Sequence, residues 1–585
     1  MKNCTLFTTI VFLGLFVGAC SGPADESQDI GDEQQNTDAP EENADTHLKL
    51  LYWQAPTTLN PYLSGGTKEI EAASLVLEPL ANYDEEAQMV PTLAVEIPTI
   101  ENGGFSEDLQ TITWKLRNDV LWSDGSPFTA DDVVFTWQYC THPEMGCYRI
   151  NNFSDVDEVV AVDSHTVRIT FSKIKAHPYA PFVGSLVPIL QKNQFEECLG
   201  ARAQECTEQN FAPIGTGPFR VIDFRANDVS QYVANENYRE EGKPFFKAVT
   251  LKGGGDAASA ARAVVETGEY DFGWNLQVEP EILDSMAKAE KGKVLYGVGS
   301  QVERIIVNLT NEDSSLGPER RSQYLDGTNP HPFLSEFAVR RALSLAIDRS
   351  ILVETGYGRA GEPECNVVPA PEYYVSDSNE ECKVQNIEEA NRLLDEAGWV
   401  LGSDGVRSKD GVRLSILYQT STNSVRQGNQ ALVKHMWEQI GVETELRNID
   451  GAVFFGSDVA SPDTYQKFFA DVQMYTNNFD GEDPSEYLRG WSCSEIPGPD
   501  NNWAGTNIPR ACSEEFDTLV DDLSSVTDKT ERADIIKRLN DMVVLNYWVI
   551  PLVHRARVSA VSNALKGVTI NGWDSELWNA EDWHR

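Results

Sequence analysis

The sequence predicts an α/β fold in a chain long enough for several domains. Short strands recur along the chain with amphipathic helices between them, the pattern of an α/β protein. No sustained internal repeat replaces that pattern. The chain has 585 residues, 41% of them hydrophobic, with 13 Trp and 24 Phe, which is enough for a large core. Its formal charge is −44. So acidic a surface repels nucleic acid and anionic headgroups, and neither is expected as a partner.

In order along the chain, Lys2 precedes an apolar run at residues 6–17. That run is shorter than the ~20 residues a membrane-spanning helix needs. It ends in Val17-Gly18-Ala19-Cys20, which resembles the lipobox of bacterial lipoproteins. The likeness implies a signal peptide at 1–20 and lipidation of Cys20, with acyl chains that hold the protein on a membrane. Residues 21–46 are rich in Asp and Glu, with no Lys, Arg or aromatic, and are expected to form a disordered tether.

The folded body is expected from His47. Leu48, Leu50 and Tyr52 alternate with Lys49 and Leu51 as a first strand. Ile112, Trp114 and Leu116 alternate in the same way. Ser123-Asp124-Gly125 then makes a turn. Thr129 to Asp132 reads as a capping box, opening a helix that buries Val133, Val134 and Trp137. Pro213 to Phe219 is a Gly/Pro-rich bend into a strand. Val339, Leu343, Ala346 and Ile347 mark one amphipathic helix. Asn386, as an N-cap, opens another that Gly398 ends.

Ten cysteines are present. Cys4 and Cys20 lie at the start. The others fall into four close pairs, Cys140/Cys147, Cys198/Cys206, Cys365/Cys382 and Cys493/Cys512, none with C-x-x-C spacing. Eight cysteines allow 105 connectivities. Local even pairing argues for four disulfides in an oxidising compartment, with neighbours joined.

Catalytic and cofactor patterns are lacking in the sequence. Residues 356–361 read G-x-G-x-x-G but follow a helix rather than a strand. The eight histidines have no ligand spacing. There is no G-x-S-x-G elbow, and Asp155 and Asp157 lack the rest of a calcium loop. The chain is therefore read as no enzyme, with no cofactor and no metal. A secreted hydrolase would need a nucleophile–base pair that is not found.

One segment carries a wider resemblance. Leu116, Arg117, Val120, Trp122, Ser123, Asp124, Gly125, Pro127, Thr129, Ala130, Asp132 and Val133 fit L-R-x-x-V-x-[FW]-S-D-G-x-P-x-T-A-x-D-V. That is similar to the signature of the peptide/nickel class of ABC-transporter solute-binding proteins, family 5. In family order there follow Pro213-Ile214-Gly215-Thr216-Gly217-Pro218-Phe219, then Val339-Arg340-Arg341-Ala342-Leu343, the run from Ala390 to Trp399, and Ile550-Pro551-Leu552. Residues 478–484, Asn-Phe-Asp-Gly-Glu-Asp-Pro, resemble W-x-x-D-Y-x-[DE]-P, although Asn477 stands where the usual Trp would be.

The resemblance implies a two-lobed periplasmic-binding-protein-like fold, type II, of the large cluster with an extra subdomain and a hinge. Lobe I would comprise 47–85, 213–305 and 550–585, the extra subdomain 86–212, and lobe II 306–549, with crossings near Ile305 and Ile550. The implied function is the extracytoplasmic component of an ABC importer. It would capture short peptides by lobe closure and pass them to permease subunits, as a lipid-anchored monomer. An oligosaccharide is the alternative ligand, with Trp491 and Trp503 stacking on sugar rings. By position in the motif, Asp480 would meet the peptide's α-amino group, with Asp483 the nearest competitor. Asn478 and Tyr475 are expected beside it in the ligand site.

Overall fold

The computed structural model describes residues 44–311, 313, 315, 329–456, 458 and 460–585. Cys20, the signal peptide and the tether to residue 43 lie outside the described residues. The last three positions expected as tether, Ala44–Thr46, form a 3-10 turn, and the carbonyl of Thr46 accepts from Lys247 N. No helix among the described residues is long and apolar enough to cross a membrane.

Two mixed sheets form the lobes. In the seven-stranded sheet the order is Gly292–Gly297, Arg557–Ser562, Phe272–Gly273, His47–Tyr52, Ala248–Gly253, Val229–Ala234, Phe219–Arg225. His47–Tyr52 is parallel to both its neighbours. Its Leu48, Leu50 and Tyr52 are fully buried, as period-2 alternation requires of a sheet face packed on a core. The six-stranded sheet runs Gly361–Pro363, Val549–Arg555, Val302–Val307, Val472–Asn477, Ser415–Ser421, Glu443–Ile449.

The chain passes between the sheets at residues 298–301 and again at Ala556, because one strand ends at Arg555 and the next begins at Arg557. Arg555 N donates to the Gln301 carbonyl, 3.0 Å, so the two crossings lie side by side. The crossings expected near Ile305 and Ile550 thus fall a few residues away, which shifts the lobe boundaries from 305 and 550 by as much. Those two residues are cross-strand partners inside the second sheet. Val302–Val307 is buried along its whole length, with a strand on either side. A strand laddered on both edges cannot be the flexing point.

A third body is built on the signature segment. Thr111–Lys115, Thr166–Phe171 and Val156–Asp163 form an antiparallel sheet, against which the helix Ala130–Thr141 packs. Ile112 and Trp114 are fully buried. The capping box is made, with Thr129 N donating to Asp132 Oδ2 at 3.0 Å. The helix buries Val133, Phe135 and Tyr139, while Val134 and Trp137 are only half-buried. Gly215 and Gly217 press on Val76, where a Cβ would meet its carbonyl oxygen at 1.9 and 2.7 Å. This close approach is the physical reason for glycines there. Disulfides join Cys140–Cys147, Cys198–Cys206, Cys365–Cys382 and Cys493–Cys512.

Candidate ligand-binding site

A cleft opens where strands of both sheets run out toward each other, the usual place for ligands in open α/β sheets. It holds two connected spaces, of about 780 and 1000 Å³, which share Asn477 and Asn478 at the end of Val472–Asn477. Gln54, Trp274 and Asn275 enter from the first lobe and Tyr475 and Arg426 from the second, with Arg555 and Arg557 at the crossing. Tyr83, Arg149 and His177 close the larger space from the first lobe and the extra subdomain.

The crossing is stiffened by a buried charge network. Arg426 Nε and Nη2 donate to the two carboxyl oxygens of Glu303 at 2.8 and 3.2 Å. Arg555 lies 3.9 Å from the same carboxylate and donates to Thr476 Oγ1 at 2.8 Å. Burial works against the charge on Glu303, but Arg426 and Arg555 outweigh it and hold its pKa below the ordinary value.

Asp480 lies in the loop that leaves Val472–Asn477 and touches the first lobe. Ser300 Oγ donates to the Phe479 carbonyl and accepts from Phe479 N. Gly481 N donates to the Trp573 carbonyl, 3.1 Å. Gly481 has φ +63, and a Cβ there would come within 2.4 Å of the Tyr83 ring, so only glycine lets the loop pack this closely. A Cβ at Gly184 would lie 3.5 Å from Asp480 Oδ2 and 3.7 Å from Asp574 Oδ2, which places the two carboxyls around one point. Asp574 is satisfied by the backbone N–H groups of Tyr83, Ser185 and Ser575. Asp480 has no hydrogen bond to any described residue. Burial, then Asp574, pushes its carboxyl up to about 7, against Arg557 and Arg149. Asp483, the competitor, is committed elsewhere. It receives Arg532 Nη2 at 2.7 Å and Ser485 N at 2.9 Å. Burial opposes its charge, but His177, Arg532 and Ser485 hold it well below the carboxylate range.

Asn478 lines both spaces, Tyr475 the smaller, and Trp491 the larger. Trp503 is not brought to the cleft: Lys467 Nζ sits 4.2 Å over its ring, and Phe469 meets it edge-on. Arg149, Arg304, Tyr83 and Asp574 were not read as site residues in the sequence. Arg304 carried a usable signal, since Glu303-Arg304 is a charged pair inside an apolar strand run.

Residues 88–498 match the family model of the bacterial extracellular solute-binding proteins, family 5. The chain belongs to this family. Members are extracytoplasmic transport binding proteins rather than enzymes. Protein XP55 of Streptomyces lividans is 27% identical, over 73% of this chain and 69% of its own. The oligopeptide-binding protein AppA of Bacillus subtilis is 23% identical over 99% of this chain and 98% of its own. AppA solved with a nonapeptide superposes with a TM-score of 0.76, at 22% identity, covering 92% of this chain and 98% of that one. NikZ of Campylobacter jejuni, solved with Ni(L-His), gives the same TM-score at 21% identity, covering 92% and 100%. These structures establish the family fold: two lobes of mixed α and β content.

Proposed function

We propose that the chain captures short peptides outside the membrane and delivers them to the permease of an ABC importer, held to the membrane through Cys20. The observation that carries the reading is Asp480. It is a carboxylate in the cleft between the lobes, on a loop from one that packs on the other, and it has no hydrogen bond or ion pair with any described residue. A free peptide brings an α-ammonium, and enclosing that charge is costly unless a carboxylate meets it. In this reading Asp480 pairs with the ammonium once the lobes enclose the ligand, and closure is then selected because only the closed form offers contacts from both lobes. The described likeness to AppA, whose solved structure holds a nonapeptide, agrees with peptide as the class.

The test is a double cycle read by calorimetric titration. Asp480→Ala is expected to weaken binding of free-amine peptides by roughly 3–5 kcal/mol, the cost of leaving a buried charge unpaired. N-acetylated peptides are expected to bind the wild type poorly and to lose little more in the variant. Additive losses would show that Asp480 and the amine never meet. The anchor is tested separately: Cys20→Ser is expected to leave the body folded and release it from membranes. A variant that stays in the membrane fraction through high-salt washing would refute the anchor.

A further inference from the structure

The larger space of the cleft contains two guanidinium groups that lack an ionic partner. Arg304, on the strand Val302–Val307, is 2% exposed. Its Nη1 donates to Tyr487 Oη at 2.5 Å, and its Nε has no partner. Tyr487, Tyr475 and Trp491 surround the guanidinium, with ring centroids 5.6, 5.9 and 5.2 Å away. Arg149, half-buried, enters from the extra subdomain side. Its Nη2 donates to the Ser64 carbonyl at 2.9 Å, and its Nε is likewise without a partner. Among the described residues neither has a carboxylate within ion-pair distance.

Four other buried or nearly buried arginines are treated differently. Arg239 is paired with Glu78 at 2.8 Å, Arg426 with Glu303, and Arg532 with Asp483. Arg349, which has no ion pair, reaches three backbone carbonyls and Ser344 Oγ. The acids that also line the space are largely engaged: Asp483 by Arg532, and Glu486 by Lys175 and Arg489. Asp480 alone among these acids has no hydrogen bond or ion pair with a described residue. A buried unpaired charge is costly, and here two guanidinium groups, one buried and one half-buried, face the same space from the second lobe and from the extra subdomain, with Asp480 also in its lining. For Arg304 three aromatic rings lie against the guanidinium, and its fork matches a planar carboxylate. That is the geometry by which arginine grips a carboxylate.

We infer that Arg149 and Arg304 form a carboxylate-binding subsite, so that the solute is a zwitterion with both charged groups in one space of the cleft. This rests on the proposed role of Asp480 for the ammonium partner, but not for the carboxylate. The carboxylate has two chemical sources, the C-terminus of a di- or tripeptide or an acidic side chain near the N-terminus.

Trialanine, trialanine amide and Ala-Glu-Ala amide, titrated calorimetrically, separate these sources. A C-terminal source makes the amide bind about 10–100-fold more weakly than the acid, the range of one or two charge-assisted hydrogen bonds. A side-chain source restores that loss in Ala-Glu-Ala amide. Arg304→Gln is expected to weaken the preferred carboxylate probe by a similar factor and to leave the others unchanged, and Arg149→Gln to behave alike. Melting curves of the unliganded variants are expected to be unchanged or raised, since an unpaired buried charge has gone. A structural role would lower them for both variants.

Glutarate, a dicarboxylate without an amine, is expected to raise the melting temperature of the wild type and not of the Arg149→Gln/Arg304→Gln double variant. That arm does not involve Asp480. If peptides fail to bind but glutarate stabilises, the amine reading falls and the subsite stands. If the three peptides bind within threefold of each other, or none binds, and glutarate does nothing, the subsite is overturned.

Discussion

At the scale of the residue, the proposed role of Asp480 sets how binding is expected to depend on pH. Its ordinary pKa of 3.8 is raised to about 7 in the folded protein, first by burial and then by Asp574. A raised carboxyl favours the folded state when protonated. Its contribution is therefore full at low pH and is lost as pH rises from about 4 through about 7. An ammonium reverses the preference by stabilising the carboxylate, so binding expels a proton wherever Asp480 is protonated. Affinity for free-amine peptides is expected to fall about tenfold per pH unit below about 7, and again above the α-amino pKa of about 7.7–8.0. Titrations from acid to mildly basic pH in buffers of different ionisation enthalpy check both limbs, and Asp480→Asn should abolish the acid limb. A flat profile in the wild type would contradict the pairing. The motif pointed to Asp480 by its spacing to Pro484, and the residue lines the cleft. What separates it from Asp483 was not legible. That depends on Arg532, which arrives from a helix far along the chain.

At the scale of the element, the signature strand, turn and capped helix were readable because each is dictated locally. Alternation fixes which face is buried, and Thr129 and Asp132 satisfy one another's backbone donors. The helix Ile387–Glu396 is a similar case: Asn386 Oδ1 accepts from Glu389 N at 3.0 Å, and Gly398 ends the helix at φ +87. The crossings were legible only to within a few residues, for an equally local reason. A strand that runs into a hinge and an interior strand are both apolar runs, and only pairing tells them apart. At the true crossing the buried Glu303 holds Arg426, Thr476 and, at 3.9 Å, Arg555. Glu303→Gln leaves two buried guanidinium groups facing a neutral amide. It is expected to destabilise the protein by about 3–5 kcal/mol, as breaking a buried pair does, and to weaken ligand binding as the crossing loosens. Denaturant unfolding measures the first and a titration the second. A variant as stable as the wild type would show that the network does not brace the crossing.

At the scale of the molecule, an ion network ties the extra subdomain to the second lobe. Lys175 meets Asp155 at 3.2 Å and Glu486 at 2.8 Å. Arg489 meets Asp155 at 3.2 Å, and Lys173 meets Asp521 at 2.9 Å. Ala176 N donates to the Ser524 carbonyl beside them, 2.7 Å. Lys175 is 4% exposed and Asp155 14%, so the inner pairs are shielded more than ordinary surface pairs. Lobe closure should therefore respond to salt. Raising ionic strength from 0.1 to 1 M shortens the screening length from about 10 to about 3 Å. Ligand dissociation, followed by stopped flow, is expected to quicken in the wild type and to change less in Lys175→Met, whose dissociation is already faster. Equal salt response in the two would detach the network from closure. None of this was visible in the sequence, where Asp155 and Lys175 are scattered charges in a chain that carries 91 acidic residues. The family architecture was visible, because ordered motifs spread along the chain constrain topology more than any one segment does. The most direct measurement of what the molecule carries is mass spectrometry of the solute released on denaturing protein purified from its own host. Short peptides with a free amine and a carboxylate are the expected result. A sugar or a metal complex would contradict the peptide reading.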